Sequence, residues 1–155
     1  MRPVVLGLNN PYSADPKDAL GVKPEGSAGN RLWLMVKDAA NRAGRDFTEE
    51  DYLEGFDRRN LMNAHFYNHD IAVKRRSKVL HELQRKVVVT CGTGVLRALG
   101  LRHTGFHLEA QAGVGFIYYV IPHPSGLTRE YNSQETRQRV GDLMLRLLDE
   151  TKRSG

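Results

Sequence analysis

Three short apolar runs constrain what this chain can fold into: PVVLGL at 3–8, KVVVTC at 86–91 and GFIYYVIP at 115–122. Each is rich in β-branched or aromatic residues and is closed by glycine or proline, the pattern of a strand buried on both faces. Helical patterns fill the spaces between them. In GNRLWLMVKDAANRAG, Leu32, Met35, Val36 and Ala39 recur at helical spacing and Gly44 supplies a stop. TEEDYLEGF opens on a Thr48 cap with acids in the first turn, where the helix dipole favours them. DIAVKRRSKVLHELQRK puts Val73, Val79, Leu80 and Leu83 on one face of a basic helix. SQETRQRVGDLMLRLLDETKR starts at a Ser133 cap and offers Val140, Leu143, Met144, Leu147 and Leu148 to a core. The alternation predicts an α/β fold: a three-layer α/β/α domain over 1–155 with a small, mostly parallel central sheet. A further short strand is expected at RNLMNA, 59–64, and a long loop over 12–30.

Charge and cysteine content narrow the function classes. Lysine and arginine number 23 against 18 acids, a formal net charge of +5, which favours a polyanionic partner. The cations concentrate at 73–86, where Arg75 and Arg76 read either as phosphate contacts or as part of a solvated helix face. The lone Cys91 excludes an internal disulfide and a cysteine-rich zinc or iron–sulfur site. No apolar run reaches the length of a membrane span, and no signal-peptide core is present. These features predict a cytoplasmic protein with no membrane association.

Ligands of open parallel sheets bind beyond the carboxyl ends of the strands. LNNPYS, MNAHFYN and PHPSGLT all fall at that edge. Taken singly each reads as a turn; their convergence predicts a site. GLNNPYS and HPSGLTR together resemble the two signature motifs of the uracil-DNA glycosylase superfamily. SAGNRLW and the Pro-Ser-Gly-Leu core of the second motif are similar to segments of the mismatch-specific uracil/thymine glycosylases, the nearest likeness. NLMNA is similar to the strand end that carries the uracil-reading asparagine in the uracil-specific enzymes. The resemblance spans nearly the whole chain, and its second motif is the most specific part.

What the resemblance implies is a cytoplasmic or nucleoid-associated monomer with DNA as partner and no metal or organic cofactor, which excises uracil, or a related or modified base, by base flipping and water attack at the glycosidic carbon. His123 would donate a hydrogen bond to the base oxygen as charge accumulates there, and Asn63 would pair with the base edge. Asn10, abutting Pro11, would orient the water through its carbonyl. The motif carries one residue more than the family's between glycine and proline, so Asn9 remains an alternative. Leu127, after Gly126, would wedge into the vacated stack. Arg129 would reach the opposing base or a phosphate, and Ser13 and Ser125, with Thr128 beside the wedge, would contact the backbone. Tyr12 stands where a tyrosine excludes a 5-methyl group in the uracil-specific enzymes, which argues against thymine. Residues 13–32 contain no aromatic, so the base-stacking platform is expected from Val22, Pro24 or Phe66.

Other signals are weaker. CGTGVLRALG carries Arg97 where a dinucleotide fingerprint needs its third glycine, and reads as a strand-to-helix turn. His65, His69 and Asp70 have metal-ligand spacing without a confirming set of further ligands. Trp33 is expected in the core. Two other functions fit the same sequence: a noncatalytic nucleic-acid-binding module on this fold, and a nucleoside enzyme such as a deoxyribosyltransferase. The last would need a carboxylate at the strand edge, where the motifs show amides and a histidine.

Overall fold

The computed structural model describes residues 1–102 and 108–154. Among the described residues five strands form one sheet: β1 (Val4–Gly7), β2 (Asp57–Asn60), β3 (Val87–Cys91), β4 (Gln111–Ala112) and β5 (Ile117–Ile121). Their order is β2-β1-β3-β5-β4. The first four positions are joined in parallel and only the short β4 runs antiparallel, against β5. The three apolar runs become β1, β3 and β5, adjacent at the centre of the sheet. The protein is therefore an α/β fold with a mostly parallel sheet, as the alternation predicts.

The helices are α1 (Ala28–Arg42), α2 (Glu49–Gly55), α3 (His69–Lys74), α4 (Arg76–Glu82), α5 (Thr93–Leu99) and α6 (Gln134–Ser154). Alternate residues of the central strands feed two separate apolar clusters. Val5, Val89, Cys91, Tyr119 and Ile121 join residues of α1, α2 and α6. Val4, Leu6, Val88, Tyr118 and Val120 join residues of α3 and α5. That division is what a period of two along a doubly covered strand requires. Thr48 caps α2 in a reciprocal capping box with Asp51. Ser133 accepts a hydrogen bond from the Thr136 N–H at the start of α6.

Three expectations need correction. The basic segment is not one helix: α3 ends at Lys74 and α4 begins at Arg76. At this bend the Arg76 guanidinium donates to the carbonyls of Ala98 (2.8 Å) and Arg97 (3.3 Å), capping the end of α5. The second strand lies at 57–60 rather than 59–64. It is an edge strand of half-buried polar residues, DRRN, tied by an Asp57–Arg59 ion pair of 2.7 Å, and the buried Leu61 and Met62 follow it. Trp33 packs only half-buried against the α1–α6 side, with the Lys37 ammonium 5.2 Å from its ring centroid. Among the described residues no group of three or more His, Cys, Asp or Glu side chains is arranged to hold a metal. His69 opens α3 and shares a 3.1 Å hydrogen bond with the Tyr67 hydroxyl. No described helix is long and apolar enough to cross a membrane.

Glycine sets the closest helix contact. A Cβ on Gly141 of α6 would overlap the Met35 carbonyl of α1. Gly141→Ala is expected to lower the stability by about 1–3 kcal/mol, since an overpacked core must shift backbone to relieve the clash. Urea denaturation of the two proteins checks this.

Candidate functional site

A cleft of about 360 Å³ opens at the carboxyl edge of the sheet. Four segments distant in sequence build it: the end of β1 through Tyr12, the last residue of β2, the turn after β5, and the loop that enters α1. This is the position at which parallel sheets bind ligands.

The end of β1 holds the floor open. Gly7 pairs with Asn60 across the ladder, and a Cβ on Gly7 would lie 2.6 Å from the Asn60 Oδ1. Glycine there makes room for the amide, whose Oδ1 is buried and has no partner among the described residues. Beyond the strand the asparagines fold the chain back on itself. Asn10 accepts the Tyr12 N–H on its Oδ1 at 2.9 Å and donates from Nδ2 to the Asp18 carbonyl at 3.1 Å. That is an Asx turn, which explains the Asn-Pro pair in local terms. Asn9 donates to the carbonyls of Ala64 and His65, tying this loop to the one after β2.

The same folding-back brings in a carboxylate. Asp18 ends a short 3₁₀ turn over Pro16–Asp18, capped by Asp15, and its Oδ2 accepts the Ser13 hydroxyl at 2.7 Å. It is the one carboxylate on the cleft wall among the described residues. Lys23 lines the cleft from the same loop.

His123 enters from the opposite side. Gly92, at φ +85°, brings the end of β3 so close that its Cβ would meet the His123 Cβ at 3.0 Å. The Tyr131 hydroxyl donates to the Pro122 carbonyl and pins the segment from below. Burial pushes the imidazole below the ordinary histidine value, so at neutral pH it is uncharged and carries one donor and one acceptor nitrogen. Residues 125–128 then make a turn, with Thr128 N–H on the Ser125 carbonyl at 3.2 Å and the two hydroxyls 3.3 Å apart. Leu127 stands at its tip, 94% exposed.

Of the residues singled out in the sequence, Asn10, Tyr12, His123, Ser125, Gly126 and Leu127 share this cleft. Tyr12 sits at its mouth, 59% exposed. Ser13 is the hydrogen-bond partner of Asp18, and Thr128 and Arg129 lie just past the tip. Asn63 is exposed and lines a neighbouring groove with Arg75; Asn60 occupies the cleft wall in its place. Phe66 is 87% exposed and off the cleft wall. Arg76 is committed to α5.

Asn60, Asp18 and Lys23 were missed. The pointer to Asn60 was the run from Asp57 to Asn60 just before the apolar Leu61-Met62. Asp18 and Lys23 sit in a loop without periodicity, where nothing local marks them. The sequence matches no model of a known protein family and no curated protein sequence.

The histidine supplies a pH test with a definite sign. Its folded pKa is depressed, so the unfolded chain takes up the proton first as the pH falls. Its contribution to stability is complete above the ordinary value of about 6.5 and is lost as the pH drops through its own lower value. Imidazole NMR should show His123 titrating below about 6.5. In denaturant titrations across that window His123→Asn should lose less stability on acidification than the parent.

Proposed function

We propose that the protein is a DNA glycosylase acting on uracil or a related base, and that its two apolar clusters make it a three-layer α/β/α domain. The observation that carries this reading is the meeting of His123, Asn60, Asn10 and Asp18 in one cleft beside an exposed apolar tip. Hydrolysis of an N-glycosidic bond puts negative charge on the departing base and positive charge on the sugar. The site therefore needs a donor to the base, a reader of its edge, and a held water.

His123 supplies the donor. Because it is neutral, its N–H meets the base oxygen without a prior proton transfer, and a preorganised donor of this kind is worth about 10²–10³ in rate. Asn60, on the cleft wall, supplies the reader, since an amide side chain can pair with a base edge through donor and acceptor. An asparagine cannot take a proton from water near neutral pH. In this reading the second lone pair of the Asn10 carbonyl orients the water, and the neighbouring Asp18 carboxylate accepts its proton as oxygen bonds to the sugar carbon. The base leaves with the electron pair of the broken bond and is protonated afterwards. Leu127 fills the stack that the flipped nucleotide vacates.

The test is release of base from labelled oligonucleotides carrying one uracil, single-stranded and opposite G or A, read as alkaline cleavage at the abasic site. His123→Ala and Asp18→Asn should each lower the single-turnover rate about 10²-fold or more, in line with removal of a donor or a general base. Asn60→Asp should relax discrimination between uracil and cytosine. Folded protein that binds the duplex but releases no base from it would instead identify a noncatalytic reader. The presence of Asp18 favours one competing activity, on free nucleosides. Hydrolysis of deoxyuridine as fast as of uracil in DNA, with Leu127→Ala without effect, would replace the glycosylase reading by that one.

A further inference from the structure

Beside the 125–128 turn the cleft gives way to a second groove, of about 380 Å³, between α1 and α6. The first turn of α1 belongs to both. Ala28 and Gly29 line the cleft, whereas Arg31 lines the groove and reaches back to the turn, its Nη1 3.7 Å from where a Gly126 Cβ would stand. The groove floor is Leu34, Met35 and Tyr131, and its walls carry Arg31, Arg137, Gln134 and Gln138.

The charges in this groove are unbalanced. The Arg31 guanidinium has no ion pair or hydrogen bond to any described residue, and the Arg137 guanidinium donates only to the Tyr131 carbonyl, which leaves its charge uncompensated. Among the described residues the one acid in the groove, Asp38, is bonded to Arg42 at 2.8 Å. Some guanidiniums elsewhere are occupied, Arg59 by Asp57, Arg45 by Asp149, Arg42 by Asp38 and Asp142, and Arg76 by the end of α5; what sets Arg31 and Arg137 apart from the other arginines without an acid is their place in the groove beside the 125–128 turn. Two uncompensated guanidiniums flanked by two amide side chains form a donor set suited to phosphodiester oxygens.

We propose that this groove is where the DNA backbone leaves the cleft, with Arg31 and Arg137 neutralising phosphates that flank the flipped nucleotide. The inference rests on the DNA-binding half of the glycosylase reading and not on its chemistry. It moves the phosphate-contacting surface from α4 to the α1–α6 side, next to the apolar tip. A strand that passes Leu127 meets Arg31 first, because that side chain sits between the turn and the groove.

Fluorescence anisotropy of a labelled uracil-containing duplex, titrated with the full chain over a range of salt, tests this without requiring catalysis. Each phosphate neutralised contributes about −0.9 to the slope of log K against log [salt]. Arg31→Gln should therefore flatten the slope by about 0.9 and weaken binding about eightfold at ~0.1 M salt. Gln134→Glu provides a second variant. A carboxylate in the first turn of α6 suits the helix dipole, so the fold tolerates it, while DNA binding should fall. Arg75→Gln should leave the slope unchanged. Unaltered slopes for both groove variants, or a loss confined to Arg75→Gln, would overturn the proposal even if excision is observed. A slope change at Arg31 in a protein that releases no base would uphold the groove and sink the chemistry. A wild-type protein that binds no duplex sinks both.

Discussion

The site depends on one close approach of backbone to backbone. A Cβ on Gly29, in the first turn of α1, would overlap the carbonyls of Leu20 and Gly21. Only glycine lets the helix start lie directly on the loop from β1. Around this contact the loop is tied by the buried Tyr52 hydroxyl, which donates to the Leu20 carbonyl at 2.8 Å, and by Asn30, whose Nδ2 donates to the Val22 carbonyl at 2.9 Å. Leu20 is held there at φ +48°, a left-handed conformation that costs a non-glycine residue about 1–2 kcal/mol. Burial of its side chain and the Tyr52 bond offset that cost. Because the loop is fixed at Leu20, the segment before it folds back over the strand ends and Asp18 comes to the cleft wall.

This constraint joins the two grooves as well. The turn of α1 that Gly29 seats presents Ala28 to the cleft, and Arg31, two residues after that contact, points to the 125–128 turn. The α6 contact at Gly141 fixes the middle of α1 through the Met35 carbonyl. Helix α1 is thus held at its start and at its midpoint by glycines that admit backbone. Its position sets the width of the cleft on one side and of the α1–α6 groove on the other. Ion pairs take up cations and acids in equal number, so the net charge of +5 resides on cations that have no acid partner. On the proposed reading, the cations without an acid that lie beside the 125–128 turn mark the path of the DNA, rather than the local density of arginine in the sequence.

The sheet was legible because β1, β3 and β5 are continuous apolar runs, a signal that burial on both faces produces. The second strand was placed late because its own residues are polar. An edge strand needs no apolar pattern, and the eye follows Leu61 and Met62 instead. That displacement explains why Asn63 was read as the strand-end asparagine where Asn60 holds the position. Helix caps at Ser27, Thr48 and Ser133 depend on contacts three residues away and were open to a sequence reading. The bend at Arg75 was not, because the carbonyls that Arg76 caps belong to α5, 21 and 22 residues on. Asp18 was hidden for the same reason: its place follows from tertiary ties at Leu20 and Asn10, and no spacing records them.

On the proposed reading a flipped base in this cleft is held without an aromatic stacking platform. Its walls are backbone-rich, with Gly21, Gly26 and Gly29, and Tyr12, its one described aromatic, sits at the mouth. Stacking on an aromatic ring gives about 1–3 kcal/mol to any base and so adds affinity without selectivity. Hydrogen bonds to buried polar groups behave differently. A ligand that leaves a buried acceptor unpaired forfeits about 1–3 kcal/mol, whereas one that matches it gains only the modest net value of the bond. On that reading the Asn60 amide on the cleft wall and the His123 imidazole are the groups that a matching base satisfies and a mismatched one leaves unpaired. Exchanging stacking for edge contacts therefore trades affinity for discrimination, and the affinity has to come from the phosphates outside the cleft.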